Sequence, residues 1–174
     1  TVRPADLPQT ILRALIDEAR SAQRRYPLTT QMRVRAGTDY VGFIRALLRG
    51  QIDPTESADF GDYDLRIFDD LAVMQREIIA RNDEHGLARL VAGYAWEWKS
   101  KDDKQAHDIE LDGVQLRWNS RAKDWINSPG SIDEVGSIHT VQGYDLNYAG
   151  VIIGSDLRYD PEEGRLFIDR DSYR

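Results

Sequence analysis

The feature that most constrains the fold is a short apolar run, Leu90-Val91-Ala92, at the centre of a strand-like segment from Leu87 to Trp98. A strand with one face in solvent alternates apolar and polar residues, whereas a continuous apolar run is typical of a parallel strand covered on both faces. A shorter strand-like run, Tyr63–Phe68, precedes it, and residues 69–86 between the two carry apolar residues at helical spacing. Residues 63–98 therefore predict a βαβ unit with a right-handed crossover.

Two further helices are expected before this unit. Apolar residues recur at helical spacing between Pro8 and Arg25, and a second helix follows Asp39 and ends at Gly50. Strands are expected at 114–118, 135–139 and 148–153, with a short strand or connector at 28–34 and a hairpin at 157–168. The predicted fold class is α/β, a mostly parallel sheet flanked by helices.

Composition excludes several classes of protein. The 174 residues include no cysteine, which rules out a disulfide scaffold, a thiolate zinc site and a cysteine nucleophile. The hydrophobic fraction of 41% and the charged fraction of 30% are typical of a soluble globular protein. No apolar run approaches the length of about twenty residues that crosses a bilayer, and no signal peptide opens the chain. We expect a cytoplasmic protein without a membrane partner.

The net charge of −7 is unevenly distributed along the chain. Residues 1–50 carry nine basic and four acidic side chains, whereas residues 51–174 carry fourteen basic and twenty-six acidic ones. An acidic total argues against a simple nucleic-acid coat, but the Arg-rich third could face phosphates or could be a solvated helix face. We expect one domain over 1–174, with a helical lead-in at 1–50 and an α/β core at 63–174 that holds a polar, mobile insertion at 99–113.

Several catalytic motifs are absent, and one weak pattern suggests a nuclease. The chain has no Gly-x4-Gly-Lys-Ser/Thr phosphate loop and no Gly-x-Gly-x-x-Gly, and its three histidines lie far apart, so no metal site is expected. Asp69 and Asp70 after an apolar run could hold Mg²⁺, although an acidic residue before a helix is more simply an N-cap. Asp70, Glu97 and Lys99 fit the D…ExK pattern of a Mg²⁺-dependent nuclease, in which carboxylates hold the metal and lysine stabilises the attacking hydroxide.

The most informative segment runs from Gly136 to Ile153 and is typical of a strand, a turn at Gln142-Gly143 and a second strand. Gly143 lets the backbone approach a ligand closely, and Asp145 can accept a hydrogen bond from a sugar hydroxyl. Three residues at the end of the first strand can donate hydrogen bonds to phosphate oxygens, namely Ser137, His139 and Thr140. An ordinary strand–turn–strand would have the same composition, so these residues alone leave both interpretations open.

Two stretches of the chain resemble helicase motifs. Residues 137–145, Ser-Ile-His-Thr-Val-Gln-Gly-Tyr-Asp, resemble motif V of superfamily 1 helicases, Thr-x-His-x-x-(Gln/Lys)-Gly-x-Glu. Residues 28–33, Leu-Thr-Thr-Gln-Met-Arg, resemble motif IV of the same superfamily, Leu-x-x-(Asn/Gln)-(Tyr/Phe)-Arg. Residues 89–99 and the stretch before motif V are similar to one branch, an uncharacterised bacterial NTPase family described as a Schlafen group 3-like DNA/RNA helicase domain. The resemblance extends from about residue 27 to the C-terminus.

The resemblance implies a RecA-like fold of the P-loop NTPase type and a role for each matching residue. Arg33 would reach the γ-phosphate of ATP and stabilise the charge that develops in phosphoryl transfer. Gln142 and Gly143 would lie near the nucleotide, and Asp145 would lie near its ribose. The residues that would contact the backbone of single-stranded nucleic acid are Ser137, His139 and Thr140.

The chain departs from the family pattern at two positions. Met32 replaces the aromatic residue that stacks on adenine, so base stacking is not expected here. Asp145 replaces glutamate and is one methylene shorter, so its ribose contact would be lost or mediated by water.

The resemblance also implies that other parts of the machinery lie outside this chain. The phosphate loop and the magnesium carboxylates belong to a first RecA-like domain, which would precede Thr1, and motif VI would follow Arg174. The chain would then be an incomplete, C-terminal part of a helicase and inactive alone, with ATP and Mg²⁺ bound by the full-length parent and none bound here. Its partners would be the preceding RecA-like domain and single-stranded nucleic acid. A non-enzymatic alternative is an acidic interaction module whose N-terminal arginines bind a partner protein.

Overall fold

The computed structural model describes residues 7–26, 40–52 and 60–172, and the chain divides into two compact units, Thr1–Val34 and Arg35–Arg174. The described helix of the first unit is α1, Gln9–Ser21. It begins directly after Pro8, which suits a helix start because the first N–H groups of a helix have no intrahelical partner. The predicted helix is confirmed. The short strand or connector expected at 28–34, with Met32 and Arg33, lies outside the described residues.

A five-stranded sheet forms the centre of the second unit. Its strands are β1 Ala88–Ala92, β2 Ile109–Leu111, β3 Val114–Trp118, β4 Glu134–Ser137 and β5 Tyr148–Ile152, in the order β2-β3-β4-β1-β5. Strands β3, β4, β1 and β5 run parallel, and β2 is antiparallel to β3. The hairpin of β6 Leu157–Asp160 and β7 Arg165–Ile168 is separate. The mixed α/β class with a mostly parallel sheet is confirmed, and so is the hairpin.

Helices and short helical turns flank the sheet. They are α2 Tyr40–Leu48, α3 Leu71–His85, α4 Ile138–Val141 and two 3-10 turns, η1 Lys99–Lys101 and η2 Trp125–Asn127. Helix α2 confirms the prediction from Asp39 to Gly50, and its aromatic residues pack around the buried Phe60. The ring centroids of Tyr40 and Phe43 lie 5.7 and 5.0 Å from that of Phe60.

Helix α3 is fixed at both ends by residues that its sequence places there. The carboxylate of Asp70 accepts a hydrogen bond from the Val73 N–H at 2.9 Å, which confirms the expected N-cap. The Leu71 N–H donates to Asp112 Oδ2 at 2.9 Å, so the turn between β2 and β3 also holds this end. At the other end Gly86 has a φ of +70°, a conformation that glycine adopts without strain.

The two faces of the sheet are covered by different elements. A Cβ added at Gly150 would lie 2.8 Å from the Leu90 side chain and 2.9 Å from Ile78 of α3, so α3 packs closely on this face. A Cβ added at Gly136 would lie 2.5 Å from the ring of Trp125 in η2. Gly136 is in register with Val91, whose side chain points opposite to that of Leu90. Therefore η2 covers the face that α3 does not.

Arg89 of β1 is buried and connects these layers through neutral acceptors. Its guanidinium donates to Asn82 Oδ1 of α3 at 2.6 Å, to the Ile126 carbonyl of η2 at 2.5 Å and to Ser131 Oγ at 2.9 Å. No carboxylate pairs with it within the described residues. Burial lowers the pKa of Arg89 from its ordinary value, but a guanidinium still keeps its charge at neutral pH.

The predicted βαβ unit over 63–98 is wrong, because residues 63–68 join no strand. The side chains of Asp64 and Arg66 form ion pairs with Arg81 and Glu77 of α3, at 3.4 and 2.9 Å. The charged side chains of this segment therefore form ion pairs with helix α3, and their alternation does not mark the two faces of a strand. The strand predicted over 87–98 is shorter than expected and ends at Ala92.

The polar insertion at 99–113 is folded, although the sequence predicts a mobile segment. It contains η1 and β2, and the buried carboxylate of Asp108, directly before β2, ties η1 to β3. Its oxygens accept hydrogen bonds from the Ser100 N–H at 2.7 Å, the Ser100 hydroxyl at 2.6 Å and the Trp118 N–H at 2.8 Å. Among the described residues no helix is long and apolar enough to cross a membrane.

Candidate functional site

The motif-bearing segment begins at the carboxyl edge of the sheet. Strands β3, β4, β1 and β5 are parallel, so the residues that follow them lie at the same edge of the sheet. These are Asn119 after β3, α4 after β4, Gly93 after β1 and Ile153 after β5. Ligands of open α/β sheets bind outside the carboxyl ends of the strands. The helical turn α4 directly after β4 therefore places predicted site residues where this fold class binds its ligands.

Ser137 and Thr140 are occupied inside the protein at this turn. Their side chains are buried, with 2% and 7% of their surfaces exposed, and the two hydroxyl oxygens lie 2.9 Å apart in a hydrogen bond. The Ser137 N–H also donates to Asn119 Oδ1 at 3.1 Å, which links the ends of β3 and β4. These contacts hold the turn in place.

His139 is exposed on the outer side of the same turn, next to the exposed Ile138. Its ring centroid lies 6.0 Å from that of Tyr94, which follows β1, and the two rings are inclined at 44°. An imidazole can donate or accept a hydrogen bond and can stack on a base. Of the three residues predicted to contact nucleic acid, His139 is the one whose side chain solvent can reach.

The turn rests on Trp125, which lies fully buried under β4. Its indole N–H donates to Glu134 Oε2 at 2.6 Å, and the same oxygen accepts a hydrogen bond from the Ser120 N–H at 2.9 Å. Gly136 leaves room for the indole ring, because a Cβ there would lie 2.5 Å from Trp125 and 2.8 Å from Val141. The glycine before motif V is therefore required by packing.

We expect Gly136→Ala to lower the free energy of unfolding by about 1–3 kcal/mol, because the added methyl group overlaps a ring that cannot shift away. Urea denaturation followed by circular dichroism measures the effect. Gly113→Ala is a suitable comparison for a glycine with open space around its Cβ, although its φ of +76° adds some backbone strain. If Gly136→Ala unfolds at the urea concentration of the parent chain, the close packing on Trp125 is contradicted.

The predicted nucleotide residues lie on the stretch that leads away from the turn. Gln142, Gly143 and Asp145 are exposed, and Gly143 has a φ of +93°, so its backbone favours glycine whether or not a ligand binds. Two residues after Asp145, the Asn147 N–H donates to the Leu87 carbonyl at 3.0 Å, at the amino edge of the sheet. The segment thus crosses from one edge to the other. Among the described residues, no hydrogen bond, ion pair or ring contact connects these three side chains with His139.

The nuclease alternative gains nothing from the structure. Asp70 is used as the N-cap of α3, and Glu97 and Lys99 are exposed. Within residues 7–26, 40–52 and 60–172 no group of three acidic or histidine side chains could hold a metal ion. Arg33, the proposed catalytic arginine, lies outside those ranges.

Sequence reasoning missed a cluster of basic side chains beside this edge. Lys101, Lys104, Arg117 and Arg121 line one cleft at the carboxyl end of β3. Two of them lie in the predicted mobile insertion and two flank the end of a strand, so nothing in the linear spacing groups them. The pairing of β2 with β3 brings them together.

A family model for the Schlafen group 3 DNA/RNA helicase domain matches residues 4–174. The chain belongs to this family. An uncharacterized protein of Saccharomyces cerevisiae, YPL245W, is 33% identical in a 152-residue alignment that covers 78% of this chain and 33% of the yeast protein. The chain thus spans about one third of the length of that relative. No solved structure matches this chain.

Membership of the Schlafen group 3 helicase-domain family confirms the helicase-like character inferred from residues 137–145. The family match also covers the described sheet and the cationic cleft. This Schlafen group 3 domain is therefore helicase-like in a general sense.

Proposed function

We propose that the chain is the second RecA-like domain of an ATP-dependent helicase or translocase, where it senses nucleotide and contacts single-stranded nucleic acid. The observation that carries the proposal is the exposed His139 on a turn held by buried contacts, at the carboxyl edge of a parallel sheet. This is where ligands of α/β sheets bind. Direct contact with the strand is proposed for His139, while Ser137 and Thr140 shape the turn.

The nucleotide would be held mainly by another domain of the parent protein. The chain has no Gly-x4-Gly-Lys-Ser/Thr phosphate loop, so ATP and Mg²⁺ would bind to the preceding RecA-like domain. From this chain, Gln142 and Gly143 would approach the nucleotide, Asp145 the ribose, and Arg33 the γ-phosphate. Closure of the two domains on ATP would move His139 relative to the partner domain and couple hydrolysis to stepping along the strand.

We expect the chain to bind a fluorescein-labelled oligothymidylate and His139→Ala to weaken that binding about fivefold, by loss of one polar or stacking contact. Fluorescence anisotropy measures the affinity. His85→Ala is the matched control, because His85 is also exposed but precedes β1 at the amino edge of the sheet. The His85→Ala variant should bind the oligothymidylate with the affinity of the parent chain.

Two results would contradict this function. One is equal affinity for the His139 and His85 variants, which would remove the strand contact from α4. The other is ATP hydrolysis by the chain alone, because the proposal places the phosphate loop on a different domain.

A further inference from the structure

A cleft of about 420 Å³ lies at the carboxyl end of β3, outside residues 28–33 and 137–145. Four basic side chains line it, Lys101, Lys104, Arg117 and Arg121, and Glu134 is the acidic residue in its described lining. Such a concentration of positive charge is unusual in a chain whose net charge is −7. It attracts anions, because like charges in a partly enclosed space raise the local potential.

The four basic residues keep their charge free for a ligand. Lys104 Nζ donates to the Ser100 carbonyl at 3.2 Å, and Arg117 donates to two backbone carbonyls at 3.0 and 3.1 Å. None of the ion pairs within the described part of the chain includes any of these four side chains, and Lys101 and Arg121 are also exposed. Neutral carbonyls thus hold Lys104 and Arg117, and within the described residues no ion pair compensates the charge of the four basic side chains.

The carboxylate of Glu134 offsets one of the four positive charges in the lining and leaves a net positive excess. One of its oxygens accepts hydrogen bonds from the Ser120 N–H at 2.9 Å and from the Trp125 indole N–H at 2.6 Å. These bonds tie it to the packing under β4. The lining also includes Ser120, whose exposed hydroxyl suits phosphate oxygens.

A row of aromatic rings connects the cleft with His139. Ring centroids are separated by 6.0 Å between His139 and Tyr94, 6.0 Å between Tyr94 and Trp118, and 5.9 Å between Trp118 and Trp98. Trp118 and Trp98 line the cleft. Trp118 is buried, while Tyr94 and Trp98 are partly exposed. The row places the cleft two rings away from the exposed histidine, along the ends of β4, β1 and β3.

We propose that this cleft binds backbone phosphates of the same nucleic-acid strand that passes His139. The inference rests on the proposed function, and it adds a second contact region formed by η1 and the end of β3. A strand presents one phosphate per nucleotide, which suits several separated cations better than one small anion does. The partly exposed rings of Tyr94, between the two regions, and Trp98, in the cleft lining, suit unpaired bases.

The test compares salt dependence in two charge-matched double variants of the chain. Lys101→Ala with Arg121→Ala removes two free cations from the cleft, whereas Arg76→Ala with Arg170→Ala removes two exposed cations elsewhere. The probes are labelled oligothymidylate and oligouridylate of about a dozen nucleotides, titrated at several KCl concentrations. The cleft variant should bind about tenfold more weakly, and the slope of log K against log salt should fall in magnitude by about 1.4, or about 0.7 per lost phosphate contact.

The outcomes separate this inference from the function on which it rests. Equal affinities and salt slopes for the two double variants, with His139→Ala still impaired, would overturn the cleft and leave the proposed function standing. Failure of the parent chain to bind either oligonucleotide would overturn both. Displacement of the probe from the parent chain but not from the cleft variant by millimolar inorganic phosphate would support the phosphate site, and circular dichroism confirms that each variant is folded.

Discussion

Asp108→Ala should lower the free energy of unfolding by about 3–5 kcal/mol, because it leaves three buried donors without an acceptor. The Asp108 side chain is 3% exposed and accepts hydrogen bonds from the N–H and hydroxyl of Ser100 and from the Trp118 N–H. Alanine supplies no oxygen, and the enclosed site admits little water to replace it. Urea denaturation followed by circular dichroism measures the loss.

Two variants separate the hydrogen bonds of Asp108 from general effects of losing a carboxylate. Asp108→Asn keeps the shape but presents an amide N–H₂ to a donor, so its loss should be intermediate. Asp102→Ala removes an exposed carboxylate nearby and should change stability by no more than about 0.5 kcal/mol. If Asp108→Ala is as stable as Asp102→Ala, the carboxylate does not hold η1 and β3 together.

Trp125→Ala should lower the free energy of unfolding by about 3–5 kcal/mol, the usual cost of removing a fully buried aromatic side chain. None of the Trp125 surface is exposed, and its ring lies against Gly136 at the end of β4. The cavity that remains cannot be filled, because Gly136 has no side chain that could move into it. The unfolding midpoint in urea measures this effect, since the midpoint falls as stability falls.

Trp125→Phe tests how much of that loss comes from the indole N–H. Phenylalanine keeps an aromatic ring on Gly136 but cannot donate to Glu134, so we expect a loss of about 1–2 kcal/mol. Glu134→Ala removes the acceptor, so it should cost at least as much in the parent chain and less in the Trp125→Phe background. Additive losses in the double variant would show that the two side chains do not interact.

The local spacing of apolar residues predicts those helices and strands whose packing side chains lie close together along the sequence. Helix α3 was predicted with its Asp70 cap, and β3, β5 and the hairpin at 157–168 lie close to their expected positions. Boundaries at the carboxyl edge were less accurate. The predicted strand over 135–139 ends at Ser137, since His139 belongs to a helical turn that local alternation does not reveal.

Errors arose where distant residues determine the local conformation. The segment 63–68 alternates like a strand, but its charged side chains pair with α3. The insertion at 99–113 is polar enough to suggest mobility, yet one buried carboxylate organises it through three hydrogen bonds. Neither kind of contact leaves a periodic signal in the sequence, because each depends on the three-dimensional position of the partner.

The candidate site was predicted in part by the motif. The segment of the resemblance, residues 137–145, begins at the carboxyl edge of the sheet, and His139 is exposed there. Hydroxyl side chains at Ser137 and Thr140 suggested ligand contacts, but a hydrogen bond between them was not evident from their spacing. The cationic cleft depends on the pairing of β2 with β3, which sequence spacing alone did not indicate.

Arg89 couples the elements that cover the two faces of the sheet, because both supply acceptors to its guanidinium. Its guanidinium is solvated by Asn82 on one flank and by the Ile126 carbonyl and Ser131 on the other. Detachment of either flank alone would leave a permanent cation in the interior with only part of its acceptors, because the Ala88 carbonyl and the acceptors of the other flank are all that would remain. Partial opening of the domain is thereby penalised, and both flanks should exchange their amide hydrogens in a common event.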